Sequence, residues 1–151
     1  MALLESNLIM LDVNATTSVD ALTQVAKLLW EHGVVKETYP DAIIKREISF
    51  PTGLQTTTVG VAIPHTDPEH VNESKMAIAR LNSPVQFKQM GDGTDVQVQL
   101  IFMLALEESH SQLTMLSGLM TMFQDSNTMN ELLTVSDTSK IINILKNNDI
   151  I

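Results

Sequence analysis

At 151 residues, 44% hydrophobic and 18% charged, the chain has the size and apolar content of one globular domain and not of a disordered one. Nine basic residues lie scattered against 18 acidic ones, and the net charge of −9 excludes the clustered positive charge that a nucleic-acid binder needs. Cysteine is absent, which removes a disulfide framework, a thiolate zinc site and a thiol nucleophile. No apolar run reaches the roughly 18 residues of a membrane span, so no membrane insertion is expected.

The opening segment Met1-Ala2-Leu3-Leu4-Glu5-Ser6 has no basic region leading into a long apolar core, so no secretory signal is expected and the cytoplasm is the expected compartment. Leu8 to Val13 reads as a first strand, ended by Asn14-Ala15-Thr16. Thr17 or Ser18 can cap a helix over Val19–His32, in which Leu22, Val25, Ala26 and Leu29 recur at helical spacing and Gly33 supplies the stop. A second helix, Tyr39–Ile48, carries Pro40 in its first turn and an expected buried stripe of Ile43, Ile44 and Ile48. Phe50-Pro51-Thr52-Gly53-Leu54 then reads as a turn.

The next strand, through Val59-Gly60-Val61-Ala62-Ile63, should stop at Pro64, which lacks an N–H and holds Ile63 extended. Lys75–Leu81 and Val96–Leu106 read as further strands, with Gly91-Asp92-Gly93 as the turn between them. Ser109 with Gln112 matches a capping box opening a third helix, His110–Phe123, with an apolar stripe of Leu113, Leu116, Met120 and Phe123. Helices over Met129–Val135 and Thr138–Lys146 close the chain, the latter capped by Asp137 or Thr138. This order of elements predicts a single domain over residues 1–151, an α/β (α+β) sandwich with helices packed on a mixed sheet.

The chemistry centres on His65. Pro64 ends the strand and presents the imidazole at its tip, with Thr66 and Asp67 following and Asp67-Pro68 turning the chain. A ring so placed either caps a turn or acts as nucleophile, base, metal ligand or pH sensor. Three residues gain interest beside it. The Arg46 guanidinium offers planar donors for phosphate or carboxylate, or else faces solvent. His110, expected at the first turn of a helix, sits where free N–H groups favour a neutral ring and attract an anion, or else lies on the surface without a role. The Thr52 hydroxyl can donate to an oxyanion or stabilise its turn. His70 lies five residues from His65 with Pro68 between, which does not match a helical metal pair, so a metal- or ligand-binding module built on His65 and His70 is a minor alternative. No phosphate-cradling glycine motif and no serine-hydrolase elbow is present.

Arg46-Glu47, Phe50-Pro51-Thr52-Gly53-Leu54, Gly60-Val61-Ala62-Ile63-Pro64-His65 and a His110 preceding a helix together resemble the enzyme IIA domains of the fructose/mannitol class of the bacterial phosphoenolpyruvate-dependent sugar phosphotransferase system. The resemblance spans essentially the whole chain, and the Phe-Pro-Thr-Gly-Leu segment with Gly33-Val34-Val35 is most similar to stand-alone galactitol-type IIA proteins. Pro51 departs from the class, in which many members carry serine. The resemblance implies that His65 accepts a phosphoryl group from the phosphocarrier HPr and passes it to a cysteine of a IIB component that serves a IIC membrane permease. It implies that Arg46 and His110 flank the phosphohistidine. Such a transfer needs charge stabilisation on the equatorial oxygens and, with these donors in place, no metal or other cofactor. A regulatory IIA that signals by its phosphorylation state is the alternative within the family.

Overall fold

The computed structural model describes residues 2–151. A short 3-10 turn, Ser6–Leu8, leads into β1 (Ile9–Val13), followed by α1 (Ser18–Glu31), α2 (Tyr39–Ser49), β2 (Gly53–Gln55) and β3 (Gly60–Ala62). A second 3-10 turn, Pro68–His70, precedes β4 (Lys75–Lys88) and β5 (Asp95–Ala105), and α3 (Ser109–Met122), α4 (Ser126–Thr134) and α5 (Thr138–Asn147) complete the chain. The strands form one mixed sheet in the order β1-β4-β5-β3-β2. β1 runs parallel to β4 and β3 parallel to β5, whereas the β4–β5 and β2–β3 pairs are antiparallel. The expected α/β sandwich is therefore the observed fold.

Strand alternation builds two cores. Along β4 and β5, Ala77, Ala79, Ile101, Met103 and Ala105 face α1 and α2, where Leu22, Val25, Leu29, Tyr39 and Ile43 are buried. The intervening Met76, Ile78, Leu100, Phe102 and Leu104 face α3, α4 and α5 against Leu119, Phe123, Met129, Leu132, Ile141 and Leu145. Phe102 and Phe123 meet across this second core at a centroid distance of 5.3 Å. The central strands are buried on both faces, which explains their nearly continuous apolar runs. Among the described residues no helix is long and apolar enough to cross a membrane.

Local signals account for most boundaries. The Thr17 hydroxyl accepts from the Asp20 N–H and opens α1, and Gly33, at φ +72°, closes it. Asp137 caps α5. Four expectations are corrected. β4 does not stop at Leu81 but runs to Lys88, because a register shift between Arg80 and Val85 accommodates Pro84 inside the ladder. Gly53 and Leu54 do not belong to a turn but open β2, which is paired to β3. α4 begins at Ser126 and not Met129, since the Asp125 carboxylate accepts from the Asn127 and Thr128 N–H groups. The capping box at Ser109 does not form: Glu108 is the N-cap, without a side-chain bond, and Gln112 bonds elsewhere.

The apolar stripes are also corrected. Ile48 is 74% exposed, and α2 buries Tyr39, Ile43 and Glu47 instead. These three stand four residues apart and so share a helix face. Leu113 is 68% exposed, and α3 buries Gln112, Leu119 and Met122.

Gly60 lies where β3 pairs with β5, and a Cβ there would overlap the backbone carbonyl of Gln97. Gly60→Ala should destabilise the protein by about 3 kcal/mol or more in urea unfolding. Gly118, inside α3, has only Ile150 Cδ1 within reach of an added Cβ, at 3.5 Å. Gly118→Ala should be neutral or stabilising by up to about 1 kcal/mol.

Candidate functional site

The loop that follows β3 is tied down at nearly every residue. Ile63 donates its N–H to the Thr52 carbonyl at 3.3 Å, continuing the β2–β3 ladder one rung beyond the strands. The Pro64 carbonyl accepts from the Leu104 N–H at 2.9 Å, and the buried Tyr39 hydroxyl donates to the Leu104 carbonyl at 2.9 Å. On the far side of His65, the Thr66 carbonyl accepts from Gln112 Nε2 at 2.9 Å. This bond takes Gln112 away from the expected capping role and ties the first turn of α3 to the loop. His65 therefore sits at the end of the sheet, on backbone bonded to Thr52 just before β2, to Leu104 of β5 and to Gln112 of α3.

The ring itself is fixed by one bond. His65 Nδ1 lies 2.9 Å from the Ile63 carbonyl oxygen. A carbonyl only accepts, so Nδ1 carries the proton and, in the neutral ring, Nε2 holds the free lone pair. Burial lowers the His65 pKa from its ordinary value; the Ile63 bond raises it in opposition, and the Arg46 charge lowers it further. The ring is therefore neutral near pH 7, the state in which Nε2 can act as a nucleophile.

Arg46 stands in the last turn of α2. Its guanidinium lies 4.6 Å over the Phe50 ring and 3.9 Å from the Asp67 carboxylate, in an exposed, loose ion pair. Among the described residues Asp67 is the one carboxylate paired with the guanidinium, so an anion placed there would compete with Asp67 for it. Arg46 lies near enough for its charge to act on the His65 ring.

Thr52 is placed differently from expectation. Its hydroxyl is buried and donates to Glu47 Oε1 at 2.7 Å, while its N–H donates to Glu47 Oε2 at 2.7 Å. It is therefore engaged within the protein and does not offer its hydroxyl to an oxyanion. Glu47 is the residue that sequence reading missed, although its spacing from the buried Tyr39 and Ile43 marks it. Burial pushes the Glu47 carboxyl up to about 7, with the two Thr52 bonds drawing it down in opposition.

His110 stands on the first turn of α3, exposed, and lines a hollow of about 290 Å³ with Ser111, Thr114, Met115, Gly118, Asp149 and Ile150. Among the described residues no hydrogen bond or ion pair joins it to His65 or Arg46. His70 Nδ1 lies 2.8 Å from the Thr38 hydroxyl. The described residues contain no group of three or more metal-ligating side chains.

The raised Glu47 pKa has a definite sign in stability. Between the unfolded carboxylate pKa of about 4.5 and the folded value of about 7, the unfolded chain ionises and the folded one does not, so stability falls as pH rises through that window and levels off above it. Glu47→Gln removes this titration. The stability of the natural protein relative to this variant should fall by on the order of 3 kcal/mol from pH 4.5 to pH 7 in denaturant titrations. A difference independent of pH would contradict the assignment.

The sequence matches the family model of the phosphoenolpyruvate-dependent sugar phosphotransferase system, EIIA 2, over residues 2–148. It is 34% identical over 119 residues to the galactitol-specific EIIA component of the same system in Escherichia coli strain K12, covering 79% of each chain. The fold is similar to that of the nitrogen regulatory protein IIA-Ntr from Neisseria meningitidis, with a TM-score of 0.76 and 27% identity over 95% of this chain and 96% of that one. It is similar also to enzyme IIAMTL in its complex with phosphorylated enzyme IIBMTL from Escherichia coli, with a TM-score of 0.78 and 21% identity over 96% of this chain and 99% of that one. On this agreement of sequence and fold, the chain belongs to the EIIA type 2 family of the sugar phosphotransferase system and is a phosphotransferase component.

Proposed function

We propose that this protein is a cytoplasmic phosphoryl carrier, with His65 Nε2 as acceptor, HPr as donor and the cysteine of a IIB component as recipient. The observation that carries the reading is the bond from His65 Nδ1–H to the Ile63 carbonyl, which leaves Nε2 as the only nitrogen with a free pair. The Nε2 pair attacks phosphorus as the donor's P–N bond breaks, and the donor imidazole leaves with that electron pair. The accepting ring gains positive charge, with its proton still on Nδ1 facing the Ile63 carbonyl dipole. That proton keeps the phosphorylated ring a good leaving group for the second transfer, in which a IIB thiolate attacks phosphorus and His65 recovers its neutral pair. Arg46 stabilises charge on the equatorial oxygens after displacing Asp67. His110 has a lesser, assisting part, since it shares a helical turn with Gln112 but has no bond to the ring.

Phe50 and Leu113 are 61% and 68% exposed; one stacks on Arg46 and the other follows Gln112, so both supply apolar surface beside the His65 loop for a transient docking partner. The 34% identity to a galactitol-specific EIIA supports a sugar alcohol of that kind as the cargo of the associated permease. A regulatory use is the second reading, favoured by the 27% identity to a nitrogen regulatory IIA.

Incubation with phosphoenolpyruvate, enzyme I and HPr should place acid-labile phosphate on the natural protein and none on His65→Ala. Labelling of the variant would overturn the assignment. Arg46→Ala should slow the transfer by about 10²- to 10³-fold with a nearly unchanged melting temperature, and His110→Ala should slow it less. Added galactitol-type IIB should then drain the phosphate; retention of the label on His65 would favour the regulatory reading.

A further inference from the structure

We propose that Glu47 is a positioning residue for phosphoryl transfer, which through Thr52 and Ile63 sets the orientation and tautomer of the His65 ring. The inference deepens the phosphocarrier reading and rests on it for its kinetic consequence, though not for its structural one.

The geometry is a chain of hydrogen bonds. Both Glu47 oxygens are taken by Thr52, one by its N–H and one by its hydroxyl, each at 2.7 Å. The Thr52 carbonyl accepts from the Ile63 N–H at 3.3 Å. The Ile63 carbonyl accepts from His65 Nδ1–H at 2.9 Å. Successive links use different peptide groups of Thr52 and Ile63, so no proton travels along the chain. What it transmits is position: the two-point clamp fixes the Thr52 backbone, Thr52 fixes the last rung before Pro64, and that rung aims the carbonyl that holds the ring.

A carboxyl group is a costly choice for this place. Glu47 is 9% exposed on a helix face whose other buried members are Tyr39 and Ile43. An apolar residue would fill the same face without a desolvation cost, but it would leave the Thr52 N–H and hydroxyl unpaired in the interior. The adjacent residue on α2 is Arg46, whose charge acts on His65. One turn of one helix therefore references both the ring that receives phosphate and the guanidinium that steadies it. The relative placement of the two is what in-line transfer demands, where small displacements carry large rate penalties.

Two substitutions separate positioning from mere support. Glu47→Gln keeps the clamp, since its amide oxygen accepts the Thr52 N–H and its amide nitrogen donates to the Thr52 hydroxyl oxygen. Glu47→Leu keeps the volume and removes both acceptors. Nitrogen-15 NMR of the unphosphorylated proteins, at a pH where His65 is neutral, should show the proton on Nδ1 in the natural protein and in Glu47→Gln. In Glu47→Leu a substantial Nε2-protonated fraction should appear. Phosphotransfer from HPr should stay within about threefold in Glu47→Gln and fall tenfold or more in Glu47→Leu. Thr52→Ser, which keeps both donors, should match the natural protein in both readouts, and Thr52→Val, which keeps only the N–H, should shift the tautomer even if Glu47→Leu fails to fold. A folded Glu47→Leu or Thr52→Val protein with its proton still wholly on Nδ1 would overturn the proposal. If instead the tautomer shifts as expected but the natural protein takes no phosphate on His65, the positioning stands and the phosphocarrier reading falls.

Discussion

One hydrogen bond organises the site: His65 Nδ1–H to the Ile63 carbonyl. An unconstrained imidazole in water exchanges its proton between two nitrogens and rotates about two bonds, so it presents a nucleophilic pair in many directions. The Ile63 carbonyl removes this freedom by accepting and never donating. Its placement is in turn the task of much of the fold. The β2–β3 pairing brings Thr52 to Ile63, β5 holds Pro64 through Leu104, and α3 reaches Thr66 through Gln112. The loop around His65 is thus bonded on both sides, although the strand that precedes it has only three residues.

Electrostatics then complete what geometry begins. Burial disfavours the charged ring, as does the neighbouring Arg46, and the carbonyl bond only partly offsets them. The free protein therefore keeps a neutral, nucleophilic ring. A phosphoryl group would reverse the balance, because its negative oxygens face the guanidinium while the ring's gained charge faces a carbonyl dipole. The loose Arg46–Asp67 pair suits this reversal, since an exposed ion pair at 3.9 Å is displaced at little cost.

Much of this was legible in the residues. Thr17 and Gly33 bound α1, Pro64 stops the strand pairing just past β3, and the Gly60–His65 and Arg46–Glu47 segments together mark the candidate site. What was hidden depended on tertiary partners. Gln112 looks like half of a capping box, but the Thr66 carbonyl claims its amide. Asn82-Ser83-Pro84 looks like a strand end, but an irregular stretch of the ladder absorbs the proline. Ile48 and Leu113 look like core by hydropathy and are exposed, whereas Glu47 and Gln112 look like surface and are buried. Glu47 and Gln112 are the exchanges tied to His65: Gln112 bonds the loop at Thr66 and Glu47 bonds Thr52, which holds Ile63. Local pattern fails there because the site trades ordinary burial for position.

The most direct test of the account is the site of phosphate attachment on the ring. Phosphorus-31 and nitrogen-15 NMR of the protein phosphorylated through HPr distinguishes the two nitrogens. The account predicts phosphorus bonded to His65 Nε2, with the proton retained on Nδ1. Phosphate on Nδ1 would require the Ile63 bond to break before transfer and would contradict the central claim.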